Sequence, residues 1–400
     1  MIAARQAIER VAPRYHLIGP APVIPEPFPE PIYVTRPLLP SLAEYMARLS
    51  SIWDAKWLTN NGTQHQDLEA ALASHLGATH LSLFANGTLA LLAACRLFEL
   101  EGEVITTPFT FPATPHALVW AGLAPVFVDI DSQTLTIDPD RIETAITPRT
   151  SAILAVHVYG IPCNVTALAE IAARHGLKVI YDAAHAFGTS LDGMPLCRFG
   201  DATMLSFHAT KLFHTAEGGA LIAHDALAKE RIDLIRNFGI RSETDVALQG
   251  FNGKMSELAA ALGLAVLPHV AAERAKRARI AAVYDARLPA LSGITSVRPP
   301  AEASDSLQYY VIRVDAARAG CSRDQLYDRL KHCNVFTRKY FYPLASDYAC
   351  YRALPSAAAE YLPVARRVAN EVLCLPLYGA LTPDDARRIC AMIAYCLQQP

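Results

Sequence analysis

The sequence predicts an α/β protein built on a mostly parallel sheet with helices on both faces. Three observations predict it. Short apolar runs recur between residues 80 and 223: HLSLF, EVITT, APVFVDI, SAILAVHV, KVIYDAA, TMLSF and GGALIA. Several are separated by helical stretches such as NVTALAEIAARHG, so strands alternate with helices and imply right-handed crossovers. The chain has 400 residues, enough for one large unit with a sizeable core and a smaller one beside it.

In chain order, residues 20–40, PAPVIPEPFPEPIYVTRPLLP, hold too much proline for a helix or a central strand and read as an extended arm. Residues 1–31 are therefore expected to form a peripheral extension, with the compact fold starting near Ile32. The helical QDLEAALASHLG leads into HLSLF at 80–84. A polar turn, Asn86-Gly87-Thr88, opens the apolar helix LALLAACRLF. After Lys254 a long helical pattern runs to Leu288, with Pro268 as an expected break. Beyond it come the strand QYYVIRV at 308–314, a helix from about Arg323 to His332, and a final helix, TPDDARRICAMIAYCLQ. The expected units are a large domain over 32–270 and a small α+β domain over 271–400.

Composition excludes several classes. Lys and Arg number 36 against 38 Asp and Glu, a net charge of −2, which offers no broad attraction to nucleic acid or to an anionic membrane. No apolar run is expected to reach the roughly 18–20 residues that span a bilayer. Arg5, Glu9, Arg10 and Arg14 break up the N-terminus, so it does not read as a secretory signal, and a cytoplasmic location is expected. The nine cysteines are dispersed without a C-x-x-C pair, which indicates neither a zinc site nor a disulfide framework; most are expected to be small buried hydrophobes. His157, His208 and His214 lack metal-ligand spacing, so no metal is expected.

Four features carry chemistry. Asp182 ends the strand KVIYD, where an apolar neighbourhood suits a fixed ionic hydrogen bond. Lys211 follows the strand TMLSF in SFHATKLFHTAEGGALIA, and an amine held there is partly desolvated toward its neutral, nucleophilic form. The turn at Gly87 and Thr88 puts backbone amides at a helix N-terminus, which binds anions, and Ser206 could add a hydroxyl. Phe109 and Phe111 follow the strand EVITT, and one of them could cover a flat ring. Each feature alone has an ordinary structural reading: a capped turn, a loop lysine, a core phenylalanine. Together they meet the needs of pyridoxal phosphate, which requires a lysine, an acid at its ring nitrogen, a phosphate cradle and an aromatic cover.

The ordered set NGT, PFTF, PVFVDID, VIYDAAHAFGT, LSFHATK, EGGALI and GFNGKMSELAAALG resembles the DegT/DnrJ/StrS sugar aminotransferases, a fold-type I family of pyridoxal-phosphate enzymes. The resemblance runs from about Ile32 to the C-terminus. VTRPLLP, WLTNNG, HVYGIPCN and SFHATK look like the branch of that family making dTDP-4-amino-4,6-dideoxyglucose. It implies that Lys211 holds the cofactor as a Schiff base, that Asp182 partners the ring nitrogen, and that His185 lies near the ring hydroxyl. By the same resemblance Gly87, Thr88 and Ser206 take the phosphate, Phe111 stacks on the ring, and Asn252 reaches the phosphate of the neighbouring subunit in a homodimer. Lys254 stands where many relatives carry arginine, losing the bidentate fork but keeping the charge.

The reaction implied is a ping-pong transfer of an amino group from L-glutamate to a 4-keto-6-deoxy sugar on dTDP. The alternatives are a 3-keto acceptor, another nucleotide, or a non-catalytic regulatory protein on the same fold. A dehydratase is disfavoured because that branch replaces the lysine by histidine. Thr59, Asn60, Asn61, Lys254 and Tyr342 are the candidates for substrate contact.

Overall fold

The computed structural model describes residues 25–399, so the first part of the expected N-terminal extension lies outside the described residues. Seven strands form the central sheet in the order His80–Phe84, Gly219–Ala223, Ala202–Ser206, Lys178–Asp182, Thr150–Val156, Glu103–Thr106, Ala124–Phe127. All run parallel except Gly219–Ala223, which is antiparallel to both its neighbours. The reversal has a local cause. The connection from Ala202–Ser206 is a loop without a helix, and parallel neighbours need a crossover of a dozen or more residues, usually helical.

Successive side chains of a strand point to opposite faces, and both faces here are packed. On one side Val104, Ala152, Leu154, Ile180, Met204 and Leu221 meet the helices Gly87–Leu97, Ala113–Trp120 and Ala226–Ile235. On the other, Ile105, Ile153, Ala155 and Val179 meet the helix Val165–His175, while Leu81, Leu83, Leu205, Ala220 and Ile222 meet Thr63–Leu76 and Glu257–Val266. That is why the strands read as apolar runs in the sequence.

Pro268 falls in a 3-10 turn, Leu267–His269, that joins Glu257–Val266 to Val270–Arg287. This corrects one expectation from composition. The helical stretch Glu257–Ala290 is 34 residues long and apolar enough, over an 18-residue window of mean hydropathy 1.3, to cross a membrane by length and composition. The run was missed because scattered charged residues interrupt it. Its first half packs into the fold, with Ala260, Ala261, Leu264 and Val266 buried.

The C-terminal sheet is antiparallel, in the order Ile294–Val297, Tyr310–Val314, Val372–Leu375. Its core includes residues of the helices Val270–Arg287, Arg323–His332 and Pro383–Leu397. The arm joins this core. Ile32–Tyr33 pairs in parallel with Val335–Phe336, and Phe28 is 4 % exposed, so the chain is anchored four residues ahead of the expected start. Eight of the nine cysteines are buried and all are free.

Candidate active site

At the carboxyl ends of the central strands the chain encloses a cavity of about 430 Å³. Gly87, Thr88, Phe111, Asp182, His185, Ser206 and Lys211 line it, so the structure brings together seven of the residues singled out in the sequence. Phe109 instead lies in the core behind it, fully buried against Tyr159 and Phe341.

The anion cradle is built by close approach. Asn86 caps the helix Gly87–Leu97, its side chain accepting the N–H of Leu89 at 2.9 Å. Gly219 pairs with both Phe84 and Ser206. A Cβ on Gly219 would lie 2.6 Å from the Asn86 carbonyl carbon and the Gly87 nitrogen, so only glycine lets the strand pass under the turn. Gly87 and Thr88, at this helix start, line the cavity together with Ser206, and amides at a helix start attract anions.

Burial pushes the Asp182 carboxyl up, and fixed hydrogen bonds oppose it. The N–H of Ala184 donates to Oδ1 at 3.1 Å and the Thr114 hydroxyl to Oδ2 at 2.8 Å. With its proton committed to Asp182, Thr114 accepts from the Thr110 hydroxyl at 2.8 Å. The Lys211 amine is lowered to about 8 by desolvation, against the attraction of Asp182. His185 is drawn well below the usual imidazole value, first by burial and then by the Lys211 charge. Its Nδ1 accepts the N–H of Tyr159 at 3.1 Å, which leaves the ring proton on Nε2.

Phe111 is 57 % exposed at the mouth. Thr110, Thr114, Tyr159, Tyr309, Tyr340 and Phe341 were not read from the sequence. Tyr309 meets the His185 ring edge-on at 5.1 Å, and Phe341 stacks on it at 5.8 Å. A threonine pair four apart in TFPAT was the only signal for Thr110 and Thr114, and nothing near 309 or 341 points to residues a hundred or more positions away.

The remaining candidates are not in this cavity. Asn60, Asn61 and Lys254 line a second opening of about 520 Å³, where Lys254 Nζ donates to Asn252 Oδ1 at 3.0 Å. Thr59 is exposed in the same loop, and Asn60 and Asn61 both adopt left-handed backbone, with φ of 66° and 59°. Tyr342 is half exposed beside the Arg323 guanidinium, 4.9 Å away, while its neighbours Tyr340 and Phe341 turn inward.

A model of the DegT/DnrJ/EryC1/StrS aminotransferase family matches residues 41–394. The chain belongs to that family. Among its relatives, dTDP-4-amino-4,6-dideoxy-D-glucose transaminase of Escherichia coli is 46 % identical over 367 residues, which is 90 % of this chain and 98 % of the relative. UDP-N-acetyl-3-dehydro-alpha-D-glucosamine 3-aminotransferase of Acidithiobacillus ferrooxidans is 33 % identical, covering 83 % of this chain and 88 % of the relative. Among solved structures, DesI in the presence of its TDP-sugar product superposes with a TM-score of 0.89 at 38 % identity, over 94 % of this chain and 95 % of that one.

Proposed function

We propose that this aminotransferase moves an amino group from L-glutamate to dTDP-4-keto-6-deoxyglucose, using pyridoxal 5′-phosphate held in the cavity described above. The observation that carries the reading is the meeting, in one cavity, of a lysine amine lowered to about 8 and a buried carboxylate kept in place by hydrogen bonds. The residues fit the cofactor: amides and a hydroxyl at one end for a phosphate, Asp182 for a ring nitrogen, Lys211 for the aldehyde carbon. When bound, the cofactor supplies a carbon that carries the amino group and a protonated ring that accepts electrons.

The chain's own residues supply the rest. Lowered to about 8, the Lys211 amine is unprotonated in about a tenth of molecules at pH 7, far more than an ordinary lysine, so Nζ serves first as anchor and then as acid and base for the proton on the carbon bearing nitrogen. Thr110 and Thr114 orient the Asp182 carboxylate toward a cationic partner. Nε2–H of His185 offers a donor to an oxygen on the ring.

Acceptance of a 4-keto sugar rests on the names of the relatives: at 46 % identity the relative is a 4-amino-sugar transaminase, at 33 % a 3-aminotransferase. A homodimer with shared sites completes the reading. It gives Asn252, Lys254 and the loop of Thr59, Asn60 and Asn61 a neighbouring cavity to serve, and Trp53, Trp57 and Leu58 stand more than half exposed nearby.

The test is spectroscopic. Glutamate should bleach the visible band of the bound cofactor, and dTDP-4-keto-6-deoxyglucose should restore it. Bleaching without return would move the acceptor to a 3-keto isomer or another nucleotide. Lys211→Ala should show neither change; turnover at the wild-type rate in that variant would sink the assignment.

A further inference from the structure

We propose that Gln308 is a positioning residue for Lys211, its side-chain amide clamping the backbone on both sides of the lysine. The inference rests on the reading of Lys211 as the reactive amine.

Lys211 sits in a helix-free loop between two strands, and such a loop needs outside partners to hold one conformation. Within it, the Lys211 N–H donates to the His208 carbonyl at 2.8 Å. The partners on either side come from Gln308. Its Oε1 accepts the N–H of Leu212 at 2.8 Å, and its Nε2 donates to the carbonyl of Thr210 at 3.0 Å. One amide thus holds the residue before Lys211 and the residue after it. A carboxylate could only accept, and an apolar side chain could do neither. Gln308 is 2 % exposed, and its loss would strand the buried N–H of Leu212 and leave the half-buried Thr210 carbonyl without this partner.

The clamp is itself fixed. The Gln308 N–H donates to Ser306 Oγ at 3.2 Å, and Ser306 Oγ donates to the Tyr159 carbonyl at 3.2 Å. The N–H of the same Tyr159 donates to His185 Nδ1. A continuous bonded path therefore runs from the turn that carries Lys211 to the ring of His185. Gln308 lies 96 residues from Leu212 in the chain and leads into the strand Tyr310–Val314, so the C-terminal sheet helps to set the pose of a group on the central one.

Gln308→Met keeps the shape and loses both bonds. In that variant of the cofactor-loaded protein, deuterium exchange at the Leu212 amide should rise about tenfold or more while the central strands stay protected. The kcat should fall about tenfold to a hundredfold with KM for glutamate within about threefold, since a small misplacement of a reacting group costs rate rather than binding. Gln308→His, whose neutral ring accepts at one nitrogen and donates at the other, should restore both readouts to within about threefold.

Unchanged Leu212 exchange in the methionine variant overturns the proposal, whatever happens to activity. If that variant does not fold, a folded histidine variant that leaves Leu212 unprotected overturns it, and one that keeps protection and kcat supports it. The lysine reading fails separately: an active Lys211→Ala enzyme would remove it and leave the exchange results standing.

Discussion

Burial pushes the Asp182 carboxyl up, and Thr114 is one of three groups that oppose it, beside the Ala184 N–H and the Lys211 charge. Hydrogen bonds to charged groups are worth about 1.5–3 kcal/mol, so Thr114→Val should lower kcat roughly ten- to a hundredfold. The Asp182 carboxyl should rise further, moving the acidic limb of the pH–rate profile upward; a profile identical to wild type would show that Thr114 does not hold the carboxylate. Lys211 gives a prediction of opposite sign. Its amine titrates near about 8 in the folded apoprotein against 10.5 ordinarily, so between those values the unfolded chain binds more protons. Stability of the apoprotein should therefore rise with pH across that window, and urea midpoints for Lys211→Met should lose the slope. Asp182 was legible because it ends an apolar run, where a charged residue is conspicuous, and Lys211 because it lies in a short polar segment between two such runs. Thr114 was not, since a threonine inside TFPAT has an ordinary reading. Gln308 and Phe341 had no local signal, because tertiary contact alone brings them to the site.

Among the elements, the strands of the central sheet were readable for a physical reason: burial on both faces removes the polar alternation that would blur them. The direction of Gly219–Ala223 was not, because an apolar run carries no sign of its polarity and only the missing helix before it betrays the reversal. The stretch between Asn334 and Pro363 holds a two-residue strand and 3-10 turns at Ala345–Asp347, Pro355–Ala357 and Ala359–Tyr361, too short for any period to show. The crossing of Gly219 under the Asn86–Gly87 turn yields a sharp test. A methyl group there meets the Asn86–Gly87 peptide, so Gly219→Ala should cost about 1–3 kcal/mol in thermal unfolding and weaken cofactor retention by at least about tenfold. Wild-type retention of the cofactor would show that the cradle lies elsewhere.

For the molecule as a whole, 52 % hydrophobic residues and the exposed Trp53, Trp57 and Leu58 fit a chain that buries further surface against a second copy. Mixing Lys211→Ala with Asn252→Ala subunits after partial unfolding should recover about a quarter of wild-type activity, because random pairing gives half the dimers one intact site. No recovery, with a dimer confirmed by sedimentation, would mean that Asn252 serves its own chain. The arm carries a different consequence. Phe28 donates its N–H to Cys333, its carbonyl accepts from Asn334, and the Arg388 guanidinium lies over its ring at 4.1 Å. Residues that meet in that core are separated by 306 positions, as Phe28 and Asn334 are. At ~5–20 residues per second a ribosome needs roughly 15–60 s to make the second partner after the first. Throughout that interval the Phe28 anchor has no seat, while the central sheet can already assemble behind it. The C-terminal core therefore closes only once Asn334 has been made, on a piece of chain made 306 residues earlier.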